Sequence, residues 1–180
     1  MIPTVFINAK LQMIIHWRIT SDAGFQDELI PEYASGELIE VYHDVLTVMR
    51  DFYDDCFSFG LELEAESFQE IAKRRLYLSG DSVGAAWLLG ALCHFFSRPF
   101  PEKVLTWGAL RPIRNGGFAL FKTAGTYIKT KIAMKSDCSK IIVHKDEVMP
   151  RFNGETVRLS GDLEQDLKNL ETLIHGRQEN

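Results

Sequence analysis

The sequence is poor in the features that mark several common classes of protein. It has three cysteines among 180 residues (Cys56, Cys93 and Cys138), and no Cys-x-x-Cys pair, which argues against a disulfide framework and against a zinc site. It also lacks a basic excess, since 20 Lys and Arg stand against 25 Asp and Glu. We therefore expect no metal, no nucleic-acid partner and no anionic-membrane surface, and we expect a reducing, cytoplasmic compartment.

Long apolar runs are absent as well. The most apolar stretch, Val83–Phe96, is shorter than the ~18–20 residues that a membrane-spanning helix requires, and the first ten residues do not have the pattern of a signal peptide. No GxxxxGK[ST] motif occurs, so we expect no ATPase domain in this chain. An apolar fraction of 46% with 25% charged residues predicts one compact domain over residues 1–180.

Hydrophobic periodicity predicts a domain of mixed α/β (α+β) class. The expected helices are Leu38–Tyr53, the almost wholly apolar Ala85–Phe96, Thr126–Met134 and a tail helix that begins near Ser160 or Asp162. The expected strands are Thr4–Ile19, an edge strand at Leu61–Ala65, Arg75–Ser79, Val104–Trp107 and Lys140–His144. Asp22–Gly36 is expected to be a loop, and Leu110–Lys122 a hairpin that turns at Asn115-Gly116.

One passage has the composition of a reactive site. Gly80-Asp81-Ser82-Val83-Gly84 lies between a predicted strand and a predicted helix, where flanking glycines admit a substrate and free N–H groups at the helix start can stabilise an oxyanion. A serine at this point can also be a simple helix cap. Ser82 is therefore a candidate nucleophile that requires a base elsewhere in the chain.

The first candidate base is a histidine. Asp146 and His175 follow Ser82 in the order of an α/β-hydrolase triad, so a small esterase is one alternative. However, no HGGG-type segment precedes the serine, and His175 stands near the end of the tail helix beside Gly176.

The second candidate base is a lysine, and here the residues resemble a known family. Ser79–Asp146 resembles the proteolytic domain of Lon proteases, because Gly80–Gly84 is similar to a hybrid of their GPSAG and GDSAS motifs. Ala124–Lys129 resembles the GGxKxK turn that carries the Lon lysine, and Ile141–Glu147 resembles the strand and turn that follow it.

This resemblance implies a fold like the Lon proteolytic domain, with an architecture like domain 2 of ribosomal protein S5. It implies a Ser82–Lys129 dyad that hydrolyses peptide bonds, an oxyanion site at the backbone of Asp81 and Ser82, and Thr106 as the residue that orients the lysine. The implied partners are protein or peptide substrates, further copies in a ring, or a separate regulatory or ATPase chain. No cofactor is implied.

The chain departs from the Lon pattern at three positions. Ser79 stands where an acid is common, Trp107 separates Thr106 from Gly108, and Ala124 replaces one glycine of the pair. A catalytically inactive interaction module with a Lon-like fold is therefore the third alternative beside the peptidase and the esterase.

Overall fold

The architecture was taken from a computed structural model that describes residues 1–7, 12–21, 24–25, 35–76, 78 and 80–176. Five helices lie in this part of the chain: α1 (Gly36–Phe52), α2 (Ala65–Arg74), α3 (Gly84–Phe95), α4 (Thr126–Lys135) and α5 (Leu163–His175). The nine strands there are β1 (Ile2–Ile7), β2 (Gln12–Thr20), β3 (Gly24–Phe25), β4 (Gly60–Leu63), β5 (Val104–Thr106), β6 (Ala109–Pro112), β7 (Phe118–Phe121), β8 (Lys140–His144) and β9 (Glu155–Leu159). The mixed α/β class is confirmed.

The strands form two sheets and a hairpin. The first sheet has the order β1-β2-β4-β3, with β1 and β4 antiparallel to β2 and β3 parallel to β4. The second sheet, β5-β8-β9, is parallel throughout, and β6 and β7 form an antiparallel hairpin. In the described part of the chain, no helix has both the length and the apolar character needed to cross a membrane.

Helix α3 is the centre of the main core. Every residue from Gly84 to Cys93 is buried, because the helix packs against α1, α5, β1, β2, β5 and β6. Its sequence is apolar on all sides, which is the pattern of a helix enclosed by protein. A second, smaller core lies between β1, β5, β8 and α4, where its buried residues are Val5, Leu105, Trp107, Ala133, Ile141 and Val143.

Strand β8 separates the two cores. Ile141 and Val143 belong to the second core, whereas Ile142 belongs to the main core. Successive side chains of a strand point to opposite faces, so the part of a strand that has a core on each side is apolar at consecutive positions. This requirement explains why Ile141, Ile142 and Val143 are three apolar residues in a row.

Several sequence predictions were wrong in detail. Leu61–Ala65 was expected at a sheet edge, but β4 lies between β2 and β3. Arg75–Ser79 was expected to be a strand, but Arg75 ends α2 in the left-handed conformation and Leu78 forms only an isolated bridge; Tyr77 and Ser79 lie outside the described residues. Most of the expected loop Asp22–Gly36 also lies outside them; within its described part, Gly24–Phe25 forms β3 and Gly36 already begins α1.

The hairpin was correctly placed but its turn was not. Positive φ occurs at Gly116 (85°) and Gly117 (81°), one residue later than the expected Asn115-Gly116 pair. Ile113 N–H donates to Gly117 C=O at 3.0 Å, and Gly116 N–H donates to Ile113 C=O at 3.0 Å. The two residues with positive φ are therefore both glycines, which adopt it without steric cost. Asn115 does not have to adopt a positive φ.

Gly84 provides a test of the packing between α3 and the hairpin. A Cβ atom at Gly84 would lie 2.6 Å from the backbone nitrogen of Leu110, whereas one at Gly36 would have no heavy atom within 4 Å. We expect Gly84→Ala to lower the free energy of unfolding by about 1–3 kcal/mol, because β6 has to move. Gly36→Ala should leave it unchanged or raise it slightly. Urea titration of both variants measures this, and equal stabilities would contradict the packing described.

Candidate functional site

Ser82 lies in a 3₁₀ turn, Asp81–Val83, immediately before α3. Gly80 precedes the turn with φ of 105°, and its N–H donates to the carboxylate of Glu37 at 2.7 Å. The N–H groups of Asp81 and Ser82 begin the turn, so hydrogen bonding within the helix does not use them. These groups are the expected oxyanion donors, and the N–H of Gly80 is already engaged.

Backbone contacts hold this turn against the segment after β5. Gly108 N–H donates to Ser82 C=O at 3.1 Å, and Ala85 N–H donates to Gly108 C=O at 2.9 Å. Trp107, the residue that interrupts the Thr-Gly pair of the Lon pattern, is 1% exposed and fills the second core. The extra residue therefore leaves Gly108 free to pair with the turn that carries Ser82.

Lys129 lies in the second turn of α4. Gly125 precedes the helix with φ of 74°, and its C=O accepts the N–H of Lys129 at 3.0 Å. Of the Ala124-Gly125 pair, Gly125 has the left-handed conformation and Ala124 does not, so the alanine is compatible with this turn. The departure at Ala124 falls on the residue that does not require glycine.

The structure brings Ser82 and Lys129 to one cavity of about 280 Å³. Residues of β1 and α1, among them Phe6 and Leu38, provide apolar walls, and Asp81 and Thr123 provide polar ones. Ser82 is partly exposed, whereas Lys129 is only 4% exposed. The hydroxyl and the amine thus share a concave and partly apolar space of the kind that binds small ligands or side chains.

The electrostatics of Lys129 reflect its burial. Desolvation lowers the pKa of Lys129 to about 8, because burial disfavours the ammonium, while the carboxylates of Glu147 and Asp81 act in the opposite direction. Asp81 is also paired with the guanidinium of Arg111 from β6. A lysine with this pKa is partly neutral near pH 7, as a general base has to be.

Thr106 does not orient the lysine. The Nζ atom of Lys129 donates to Thr123 Oγ1 at 3.0 Å, and Thr106 Oγ1 is buried without a hydrogen-bond partner in the described residues. Thr106 faces the same side of β5 as Val104, a member of the main core, whereas α4 packs on the opposite face. The role expected of Thr106 therefore falls to Thr123, which the sequence analysis did not single out.

Glu147 is the second residue that was missed. The residue is 6% exposed, and its carboxylate accepts hydrogen bonds from Thr123 N–H at 2.6 Å and from the hydroxyl of Thr126. The signal was present in the sequence, because two threonines flank Ala124-Gly125 close to Lys129 and an acid ends the stretch compared with the Lon turn. The distance in sequence between Glu147 and the two threonines does not predict their contact, because the contact depends on how the segment after β8 lies beside the start of α4.

The histidine triad is not assembled. The ring of His175 contacts that of Phe96 at 4.7 Å, at the opposite end of α3 from Ser82. The 12 residues of α3 at 1.5 Å per residue separate those ends by about 18 Å. Asp146 is exposed beside His144, with its N–H donating to His144 Nδ1 at 3.2 Å. Neither Asp146 nor His175 lines the cavity.

No known protein-family model matches the chain, and no curated protein matches it. The similarity to the Lon proteolytic domain therefore rests on the residues quoted above. No group of three or more His, Cys, Asp or Glu side chains among residues 1–7, 12–21, 24–25, 35–76, 78 and 80–176 is arranged to hold a metal ion. What the cavity offers is a hydroxyl, a partly neutral amine and free backbone N–H groups.

The burial of Lys129 predicts a pH-dependent stability difference. Below pH 8 the folded chain holds a buried ammonium, a cost of up to about 3 kcal/mol at ~1.4 kcal/mol per pKa unit. As the pH rises above 8 the folded state loses this proton before the unfolded state does, so the cost disappears by about pH 10.5. We expect Lys129→Met to be more stable than the wild type at pH 7, with the difference shrinking towards pH 10.

Denaturant titration of both proteins across this pH range measures the difference. Lys131→Met is the matched control on the same helix, because Lys131 is exposed and its ammonium lies over the ring of Tyr127 at 4.7 Å. Its effect should be small and nearly constant with pH. If the difference in unfolding free energy between Lys129→Met and the wild type does not vary between pH 7 and 10, burial does not destabilise the Lys129 ammonium.

Proposed function

We propose that this chain is a Lon-like serine peptidase that hydrolyses peptide bonds in flexible protein segments with a Ser82–Lys129 dyad. The observation that carries the proposal is that one cavity is lined by both residues, one from the turn before α3 and one from α4. The same two residues are the ones that the resemblance to the Lon motifs indicates. The low exposure of Lys129 and the lowered pKa of its amine give it the property that the dyad needs.

The reaction would proceed through an acyl-enzyme. The Ser82 oxygen attacks the scissile carbonyl carbon while the neutral amine of Lys129 accepts the hydroxyl proton. The N–H groups of Asp81 and Ser82 stabilise the oxyanion, and the lysine then gives its proton to the departing amine as the C–N bond breaks. A water molecule then attacks the ester carbonyl carbon and loses a proton to Lys129. The C–O bond to Ser82 breaks, Lys129 returns the proton to the Ser82 oxygen, and the acid product leaves.

The apolar walls of the cavity support a peptide substrate. Buried residues, among them Leu38, Leu78 and Ile15, surround a space about twice the volume of a cavity that holds benzene, so a side chain next to the scissile bond can enter it. The proposal includes a cytoplasmic location, which the three free cysteines support. It also includes assembly with further copies or with a separate ATPase chain, as the resemblance implies.

The dyad can be tested directly by substitution. We expect Ser82→Ala to abolish cleavage of an unfolded protein substrate and labelling by a fluorophosphonate, because the Ser82 hydroxyl is the nucleophile of the proposed dyad. Lys129→Arg should be folded and inactive, because a guanidinium does not lose its proton near neutral pH. Activity of the wild type should rise with pH through about 8, as Lys129 becomes neutral.

The controls for this experiment are Lys131→Arg and Lys122→Arg, both at exposed positions close in sequence to Lys129. Each should retain the wild-type rate. Circular dichroism and thermal unfolding establish that every variant is folded. Full cleavage by Ser82→Ala would remove the serine peptidase, whereas an inactive Lys122→Arg with an active Lys129→Arg would assign the base to another lysine.

A separate substitution distinguishes the esterase alternative. His175→Ala should retain peptidase activity and esterase activity towards a p-nitrophenyl ester, because the imidazole packs against Phe96 far from Ser82. The expected effect is confined to stability, through the loss of a ring contact worth about 0.5–1.5 kcal/mol. Loss of both activities in a folded His175→Ala protein would favour a triad over the dyad.

A further inference from the structure

Glu147 lies close to the candidate dyad without lining its cavity. It is in the segment that follows β8, and its side chain is almost completely buried. One carboxylate oxygen accepts Thr123 N–H at 2.6 Å and lies 3.3 Å from Thr123 Oγ1, while the other accepts the Thr126 hydroxyl at 2.5 Å. A buried carboxylate with this many donors is fixed in position, so it can direct the groups that it contacts.

The position of Glu147 does not depend on the lysine. Its backbone N–H donates to His144 C=O at 3.0 Å. The guanidinium of Arg158, on β9, donates to Lys145 C=O at 2.8 Å and to Glu147 C=O at 3.2 Å. These backbone contacts tie the segment to the parallel sheet.

Thr123 connects the carboxylate to the amine. Its hydroxyl accepts a hydrogen bond from Lys129 Nζ at 3.0 Å and has a single proton to donate. If that proton points to Glu147, the oxygen lone pairs face Nζ, and Thr123 can act towards the lysine only as an acceptor. A neutral amine has two N–H groups and one lone pair, so this arrangement uses an N–H and leaves the lone pair unused.

We propose that Glu147 is a positioning residue for Lys129, which acts by holding the Thr123 hydroxyl as an acceptor so that the lone pair of the neutral amine remains available to the Ser82 hydroxyl. The inference rests on the proposed dyad. Without the carboxylate, the Thr123 hydroxyl can rotate and donate its proton to the amine. The lone pair of Lys129 would then accept the Thr123 proton and would not be available to the Ser82 hydroxyl.

Glu147 also sets part of the electrostatic environment of the amine. The charged groups that face Lys129 in the described residues are Glu147, from the segment after β8, and Asp81, from the turn before α3, whose charge is partly balanced by Arg111 on β6. Because the carboxylate of Glu147 stabilises the ammonium, neutralising it should lower the pKa of Lys129 further. The remaining carboxylate, that of Asp81, is paired with the Arg111 guanidinium and does not replace the charge of Glu147.

The experiment compares Glu147→Gln and Glu147→Ala with the wild type. Glutamine keeps an oxygen for Thr123 and removes the charge, whereas alanine removes both. The pKa of Lys129 is measured by NMR titration of protein labelled with ¹³C at lysine Cε, with Lys129→Arg used to assign the signal. The rate of peptide cleavage is measured against pH in the same proteins, with kcat and KM separated.

We expect Glu147→Gln to lower the pKa of Lys129 and to move the acidic limb of the pH–rate profile to lower pH by the same amount, with most of kcat retained. Glu147→Ala should lower kcat by roughly tenfold or more, because a misplaced hydrogen bond costs about 1.4 kcal/mol in the transition state, and should leave KM nearly unchanged. Glu147 does not line the cavity, so substrate binding has no direct reason to change.

Asp166→Asn is the matched control. Asp166 on α5 is a fully buried carboxylate that accepts Ser160 N–H at 2.6 Å, Gly161 N–H at 2.8 Å and the Ser160 hydroxyl at 2.9 Å. It resembles Glu147 in burial and donors but does not contact the site. Its substitution should lower stability and leave both the Lys129 titration and the pH–rate profile unchanged.

Three results would overturn the inference: a wild-type kcat in Glu147→Ala, an unchanged Lys129 titration in Glu147→Gln, or equal shifts in Glu147→Gln and Asp166→Asn. The titration does not require catalysis, so it separates this inference from the proposed function. A wild type that cleaves no peptide would refute the peptidase, and a Glu147-dependent titration in that protein would still show that this carboxylate sets the state of the amine.

Discussion

The enclosure of α3 is the constraint on which the rest of the structure depends. A helix that is apolar on every side has no face to present to water, so other elements have to cover its whole circumference. Here α1, α5, the first sheet, β5 and the hairpin do so. Because core packing fixes the N-terminal end of this helix, it also places the turn that carries Ser82, together with the backbone contacts between that turn and Gly108.

A balance between burial and nearby charge dominates the chemistry of the site. The cavity wall removes water from Lys129, which favours the neutral amine, and the two carboxylates favour the cation. Burial is the stronger influence, and the resulting pKa of about 8 lies close to neutral pH. An unopposed desolvation would lower it further and weaken the base, so the carboxylates help to keep the amine basic enough to take a proton from a serine.

Patterns that are local in sequence were predictable, and contacts between distant segments were not. The periodic helix Leu38–Tyr53 and the apolar helix Ala85–Phe96 were found nearly as they occur, as α1 and α3. By contrast, α2 was not predicted, since it contains few apolar residues. Strand β9 was not predicted either, because charged residues interrupt its apolar ones and it is the third strand of a parallel sheet. A strand of this kind is defined by its neighbour β8, which no local pattern reveals.

The same distinction applies to the site. Ser82 and Lys129 could be selected because each lies in a short motif that resembles a known one, and the structure places both at the same cavity. The threonine beside the amine could not be selected correctly. Choosing between Thr106 and Thr123 requires the face of β5 on which a side chain lies, and that face depends on which core each side of the sheet covers.

The reciprocal backbone contacts between Gly108 and the turn at Ser82 and Ala85 have a consequence for sequence drift. Main-chain atoms are common to all residues, so these two hydrogen bonds do not depend on the identity of the side chains around the serine. The backbone geometry of such a site can therefore be kept after the sequence motif around the serine has changed. Relatives of this chain are therefore better sought by the spatial pairing of a serine turn with a lysine helix than by the letters around the serine.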